Sequence, residues 1–380
     1  MPVSICKVCG ADALEVLDGY ETLPRVTSDC RPWPAGGKIA VCSACGGIQK
    51  LADDEWLAEI SKIYDDYHIY HQSAGGEQQV FFADGSSVSR SSALVDFIVE
   101  RCCRHIGNGR LIDIGCGNGV ALSRFSKALP GWLLDGSELS DKTLDSLRTI
   151  PGFRRLFTCP IPEIPTRYNI VTIIHTLEHF VDPCGALTDT ARLLEDDGYL
   201  LIEVPNIEAS PFDLVVADHL LHFSRSSLSY LVSRAGFKVE DHSDQVLRKE
   251  LTLLARLGSP AHVRPSPAHE KDTVQRILRW LASNLEKAQA ASGAEDFGLF
   301  GSSIASQWLY GILGPRVKFF VDEDPSRIGR DIEGIPIISP AEVREGATIY
   351  VPLETISVSH LAPRLAGFRG NYVYPPSTEF

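Results

Sequence analysis

The chain has 380 residues, of which 44% are apolar and 22% charged, and a formal net charge of −13. That length exceeds one ordinary hydrophobic core and predicts two or three domains, while the acidic balance argues against nucleic acid, whose phosphates need a basic surface. No apolar run approaches the roughly 18–20 residues of a membrane span, and the first residues lack the basic start and apolar stretch of a secretory signal. A cytoplasmic protein without a membrane partner is therefore expected, in which the 10 cysteines serve as metal ligands and free thiols rather than disulfides.

Residues 1–63 read as a small module rich in Cys, Gly and Pro. Cys6-Lys-Val-Cys9 and Cys42-Ser-Ala-Cys45 are two C-x-x-C knuckles, each followed by a glycine, Gly10 or Gly46. Two residues between thiolates suit a tight turn that aims both sulfurs at one tetrahedral Zn²⁺. Four ligands close the coordination shell, which implies a structural ion. A redox C-x-x-C is the rival, although it needs only one pair. Cys30, Cys102, Cys103, Cys116, Cys159 and Cys184 have no such spacing and read as packing residues. The module ends in a short helix with Trp56, Ile60 and Ile63 on one face. Residues 64–90 follow as an aromatic connector, whose Tyr64, Tyr67 and Tyr70 look more like a lid over a polar ligand than a buried face.

From 91 to 257 strands alternate with helices, the pattern of a parallel α/β sheet. Strands are expected at Arg110–Ile114, Trp132–Gly136, Tyr168–Ile174 and Tyr199–Val204. Helices are expected near Ala93–Cys103, Asp141–Arg148, Cys184–Leu194 and Arg225–Ala235. The first strand runs into Asp113-Ile-Gly115-Cys116-Gly117-Asn118-Gly119, where glycines let backbone approach a ligand closely. This G-x-G-x-G spacing differs from the G-x-G-x-x-G that cradles a pyrophosphate. An acid inside the strand, Asp113, suits a cationic ligand without phosphate. Glu138, at the end of the second strand, stands where a ribose needs an acceptor for two hydroxyls; it reads alternatively as a helix N-terminal charge.

The strand ending at Ile174 leads into His175-Thr-Leu-Glu178-His179. These letters match an inverted zinc-protease motif, a reading excluded by their place at a strand's carboxyl end rather than inside a long helix. His175 is expected to line a cofactor, with His179 nearer the acceptor. Asp218-His219-Leu-Leu-His222 lies in a loop over the same sheet edge. His219 titrates near neutrality and suits a general base, and Asp218 beside it is expected to raise its basicity. Gly258–Glu270 reads as a linker by composition and Thr273–Ala290 as an amphipathic helix, the two filling residues 258–294. Residues 295–380 form a second αβ unit, with strands at Val317–Asp322 and Gly346–Val351. It lacks the full dinucleotide fingerprint, so NAD is disfavoured.

Asp113–Gly119 resembles motif I of class I S-adenosylmethionine (SAM) methyltransferases, and a plain structural αβ turn is the alternative. The ordered set of zinc knuckles, Tyr70-His71-Gln72-Ser73, motif I, Leu177-Glu178-His179 and His219…Phe223-Ser224 resembles the three-domain sugar C-methyltransferases of deoxysugar pathways. The resemblance implies an α/β fold: a Rossmann-like class I methyltransferase core, an N-terminal zinc-binding module and a C-terminal Rossmann-like domain. It implies methylation of the carbon beside a keto group of a nucleotide-linked sugar. A monomer or weak homodimer is expected. His219 would be the base, with Tyr70, His179 and Asp218 around the acceptor. Asp113, Gly115, Cys116, Gly117, Asn118, Gly119, Glu138 and His175 would hold SAM, and the C-terminal domain would hold the nucleotide or simply close the cleft. Val216 and Asp218 stand where that family carries tyrosine and glutamate, and the glycine turn at Phe297–Ser303 lacks a following lysine. An O- or N-methyltransferase for another small metabolite, and a non-catalytic binding protein of the same fold, are the alternatives.

Overall fold

A computed structural model describes residues 5–67, 79–81, 87–103, 106–244, 246–259 and 263–378. Its centre is a seven-stranded sheet built from β1 (Arg110–Ile114), β2 (Leu133–Ser137), β3 (Phe153–Phe157), β4 (Tyr168–Ile174), β5 (Leu194–Pro205), β6 (Phe237–Ser243) and β7 (Glu250–Leu257). The order across the sheet is β3-β2-β1-β4-β5-β7-β6. β7 runs antiparallel to β5 and β6, and every other neighbouring pair is parallel. Parallel strands are covered on both faces and so read as continuous apolar runs; Leu111, Ile112, Ile170, Val171 and Ile173 are accordingly buried. Chain order reverses between β1 and β4, which opens a crevice at their carboxyl ends.

Two expected elements differ. The helix expected over Asp141–Arg148 contracts to the single turn Leu144–Leu147, with residues 141–143 forming a turn before it. The expected linker is shorter, since the long helix begins at Pro267 and runs to Ala291, with the Ser266 hydroxyl accepting from His269 N. A serine N-cap followed by proline at the first helical position is a helix start, although composition alone reads as linker.

The N-terminal module contains Leu14–Leu17, Ile39–Cys42 and Ile48–Lys50, paired antiparallel. Its fourth strand is Leu221–His222, which comes from the loop after β5 and pairs with Ile48–Gln49. The C-terminal sheet runs in the order Asp331–Ile332, Ile335–Ile338, Phe319–Val321, Phe297–Phe300, Thr348–Tyr350, Asn371–Val373. All but the first pair are parallel. One core joins these parts: Tyr20 and Val26 of the module, Phe212 and Val215 of the loop, Ile277 of the long helix and Trp308 of the C-terminal unit pack together. Trp308 Nε1 donates to Pro24 O at 2.6 Å. The module and C-terminal unit are thus clamped around the loop that carries His219.

Candidate active site

A cavity of about 380 Å³ opens at the carboxyl ends of β1, β4 and β5. Its walls include motif I, the His175–His179 turn, the loop holding Asp213 and His219, and Ser303 and Arg327 of the C-terminal unit. Ser28, Asp29 and Cys30 of the N-terminal module line it as well.

The motif I half is built by glycines. Gly115 has φ +75°, and a Cβ there would stand 2.3 Å from Thr176 Oγ1, so only glycine fits. Gly119 has φ +81° at the cap of the helix Val120–Ala128. Asp113, Gly115, Cys116, Gly117 and Asn118 all line the cavity. Burial pushes Asp113 up to about 7, against the lowering effect of the Thr172 hydroxyl that donates to it at 2.6 Å, with the Glu138 charge adding to the rise. Glu138 lies across the glycine turn and accepts from Gly117 N at 2.6 Å and from Leu139 N at 3.1 Å.

His175 sits at the end of β4 with φ +49°, a conformation that non-glycine residues occupy mainly where surrounding structure enforces it. Its Nε2 is 3.0 Å from Glu203 Oε1 and its Nδ1 is 3.4 Å from Glu178 Oε1. Burial and the Arg90 charge oppose protonation, but Glu250, Glu178 and Glu203 prevail and raise the imidazole to about 9. Arg90 pairs with Glu250 at 2.9 Å and Glu203 at 3.3 Å. Arg90, Glu203 and Glu250 were not legible as site residues. They lie in ordinary helix and strand text, and only the sheet brings them to one wall.

The acceptor half centres on His219. Its Nδ1 is 2.6 Å from Asp213 Oδ1, and His222 Nδ1 is 2.7 Å from the same residue's Oδ2. Burial would raise Asp213, but the two imidazoles hold its carboxyl well below the usual range. It is therefore an anion that accepts from both Nδ1–H groups. Behind His222, the buried Lys50 ammonium donates to Val216 O and to His219 O (2.7 Å for the latter), with His222 Nε2 3.4 Å away. With Nδ1 committed to Asp213, the lone pair of neutral His219 is on Nε2. Burial lowers the pKa of His219, yet Asp213 outweighs it and makes the ring a stronger base.

Asp218 adds to the rise in His219 basicity through its charge, after Asp213 and Glu178, as expected, but it does not hydrogen-bond the ring. Its carboxylate accepts from Ser28 N at 2.8 Å and Ser28 Oγ at 2.5 Å, so it ties the loop to the N-terminal module while Asp213 orients His219. Its carbonyl accepts from His179 Nδ1 at 3.0 Å. Tyr64 OH also lies 3.0 Å from that Nδ1, and the His179 and His219 rings stand perpendicular with centroids 4.7 Å apart. Burial and the nearby His219 hold His179 below its ordinary pKa. Tyr67 OH lies 3.0 Å from Ser28 Oγ and its ring borders the cavity. Tyr70 lies outside the described residues.

Cys6, Cys9, Cys42 and Cys45 converge, with all four Sγ atoms within 4.8 Å of one another. Cys6–Cys45 and Cys9–Cys42 are each 3.6 Å apart, close to the roughly 3.8 Å edge of a tetrahedron with Zn–S of about 2.3 Å. Ala11 N and Gly47 N donate to Cys9 and Cys45 Sγ, the outer-shell contacts of a thiolate site. The donor set fits structural zinc.

Residues 89–242 match a family model described as a methyltransferase domain. The ubiquinone biosynthesis O-methyltransferase of Nitrosomonas europaea is 32% identical over 104 residues, 25% of this chain and 43% of that protein. The Bordetella bronchiseptica enzyme of the same name is 27% identical over 144 residues, 35% of this chain and 58% of that protein. The chain spans about half the length of the curated relatives it matches. Among solved structures, a Burkholderia thailandensis 1,6-didemethyltoxoflavin-N1-methyltransferase is 18% identical, covers 62% of this chain and 99% of its own, and has a TM-score of 0.44. The glycine turn, the sheet order and the matched model agree: this chain carries a SAM-dependent methyltransferase domain between a four-cysteine module and a second parallel sheet.

Proposed function

We propose that the chain methylates carbon, using SAM, on a nucleotide-linked keto-deoxysugar whose α-proton is removed by His219. One observation carries the reading: an imidazole held through Nδ1 by a buried carboxylate lines the same cavity as the motif I turn. Bound at that turn, SAM supplies an electrophilic methyl group.

A carbon beside a ketone loses a proton only if the enolate is stabilised, so the site needs a base and a charge-stabilising donor near the oxygen. His219 takes the proton on Nε2, and the resulting imidazolium is stabilised by Asp213. Tyr67 borders the cavity with a hydroxyl suited to the keto oxygen, and we assign the acceptor side to His179, Tyr70 and Asp218 as well. The enolate carbon then bonds to the methyl carbon as the C–S bond breaks, leaving S-adenosylhomocysteine. Asp113, Gly115, Cys116, Gly117, Asn118, Gly119, Glu138 and His175 would bind the cofactor. Ser303 and Arg327 extend the cavity wall, which favours an acceptor long enough to carry a nucleotide.

The test is hydrogen exchange in D₂O. A nucleotide-linked keto sugar, incubated with the protein and S-adenosylhomocysteine, should take up deuterium at the α-carbon. A chain that leaves that position protonated, yet labels a hydroxyl with SAM, is an O-methyltransferase, and the carbon reading falls.

A further inference from the structure

The turn after β4 and the loop after β5 bring together a second group of ligating side chains, separate from the four cysteines. Glu178, His179 and His219 each offer an atom within 4.8 Å of the others. Glu178 is fully buried, and among the described residues neither of its carboxylate oxygens has a hydrogen-bond partner. His175 Nδ1 pairs with Oε1 at 3.4 Å, which leaves Oε2 as a buried oxygen without a polar partner among the described residues. A buried oxygen in that state is costly, and an ion reached through it would remove the cost.

The two histidines are prepared as ligands. His179 Nδ1 donates to the Asp218 carbonyl and His219 Nδ1 to the Asp213 carboxylate. Metal-bound imidazoles are held in this way, by a carbonyl or carboxylate at the other ring nitrogen. Both Nε2 lone pairs are thereby left for an ion, and both rings border the cavity, so an ion has a route in. Two imidazoles and one carboxylate suit zinc and similar divalent transition metals at about 2.0–2.2 Å, with a fourth position open to water or a ligand.

We propose that Glu178, His179 and His219 form a second metal site, for a divalent transition metal of the zinc type. The consequence for activity rests on the function proposed above. An ion on His219 Nε2 takes the lone pair that would accept the α-proton, so metal and acceptor compete, and the metal-loaded enzyme is the inactive form.

The 380-residue chain, stripped with chelator and dialysed against Co²⁺, should bind two ions. One shows thiolate charge-transfer absorption from the cysteine site, the other only the weak visible bands of nitrogen and oxygen ligands. Glu178→Gln and His179→Gln should each lose the second ion and keep the thiolate band, which also reports that the chain is folded. Asp213→Asn should weaken the second site by about 10–100-fold through the loss of its outer-shell anion. One ion per wild-type chain, or two in both Glu178→Gln and His179→Gln, overturns the site. Zn²⁺ should also raise the apparent KM for the keto sugar in the exchange assay, reversibly with chelator. Exchange that continues with the second site filled refutes the competition. A second ion in a protein that exchanges no keto sugar at all leaves the site standing and removes the proposed substrate instead.

Discussion

Replacing Asp213 with asparagine alters one atom and discriminates sharply between roles. The carboxylate accepts from two Nδ1–H groups, of His219 and His222, at 2.6 and 2.7 Å. An asparagine amide has one oxygen and one NH₂, so it can accept from only one of them. The other histidine then faces an N–H donor, which forces its proton from Nδ1 to Nε2. If that ring is His219, its Nε2 lone pair disappears; if it is His222, a donor faces the Lys50 ammonium instead. Both arrangements also remove the anion that stabilises imidazolium. Losing general-base catalysis costs about 10²–10⁴-fold, or about 3–5 kcal/mol at 1.36 kcal/mol per decade. The assay is α-carbon deuterium uptake in metal-free buffer with saturating S-adenosylhomocysteine, with SAM affinity measured by calorimetry as a control. Uptake should fall by that factor while SAM affinity holds. Undiminished uptake in a folded variant would refute the assignment of His219 and Asp213 together.

Glu138→Ala should weaken SAM binding by about 10–100-fold, the worth of hydrogen bonds to a charged acceptor; unchanged calorimetric affinity would leave Glu138 as a loop brace to Gly117. Cys42→Ala should release the zinc and, because Lys50 and the Leu221–His222 strand belong to the same sheet, also depress α-carbon exchange; zinc content by metal analysis and exchange rate should fall together. Asp113 carries a pH signature. Its folded pKa, about 7, lies above that of the unfolded chain, so the fold binds the extra proton and stability falls as pH rises between roughly 4 and 7. Cofactor-free Asp113→Asn should therefore raise the melting temperature more at pH 8 than at pH 5, and an equal shift at both pH values would contradict the raised pKa.

Local signals were enough for the parts that depend on short spacing. The glycines of Asp113–Gly119 and the paired cysteines express conformational needs that few other residues meet, so they are readable without neighbours. The apolar runs of β1 and β4 declare a doubly covered sheet in the same way. His175 and Glu178 were visible as letters, but their electrostatic surroundings were not, since Arg90, Glu203 and Glu250 come from three distant elements. Asp218 shows the limit most clearly. Adjacent to His219 in the chain, it turns to Ser28, while Asp213, six residues back, reaches the imidazole.

What the amino-acid order determined by itself is therefore the chemistry on offer: a cofactor turn, four thiols, a neutral-range base and the alternation that makes a parallel sheet. Tertiary structure alone decided which acid serves the base, brought a lysine from the cysteine module beneath the same loop, and set the C-terminal unit against the cavity. Periodicity and turn geometry act over a few residues, where backbone sterics dominate. A side chain's direction in a long loop is chosen by whichever partners the packed domains present, and those partners lie up to 190 positions away.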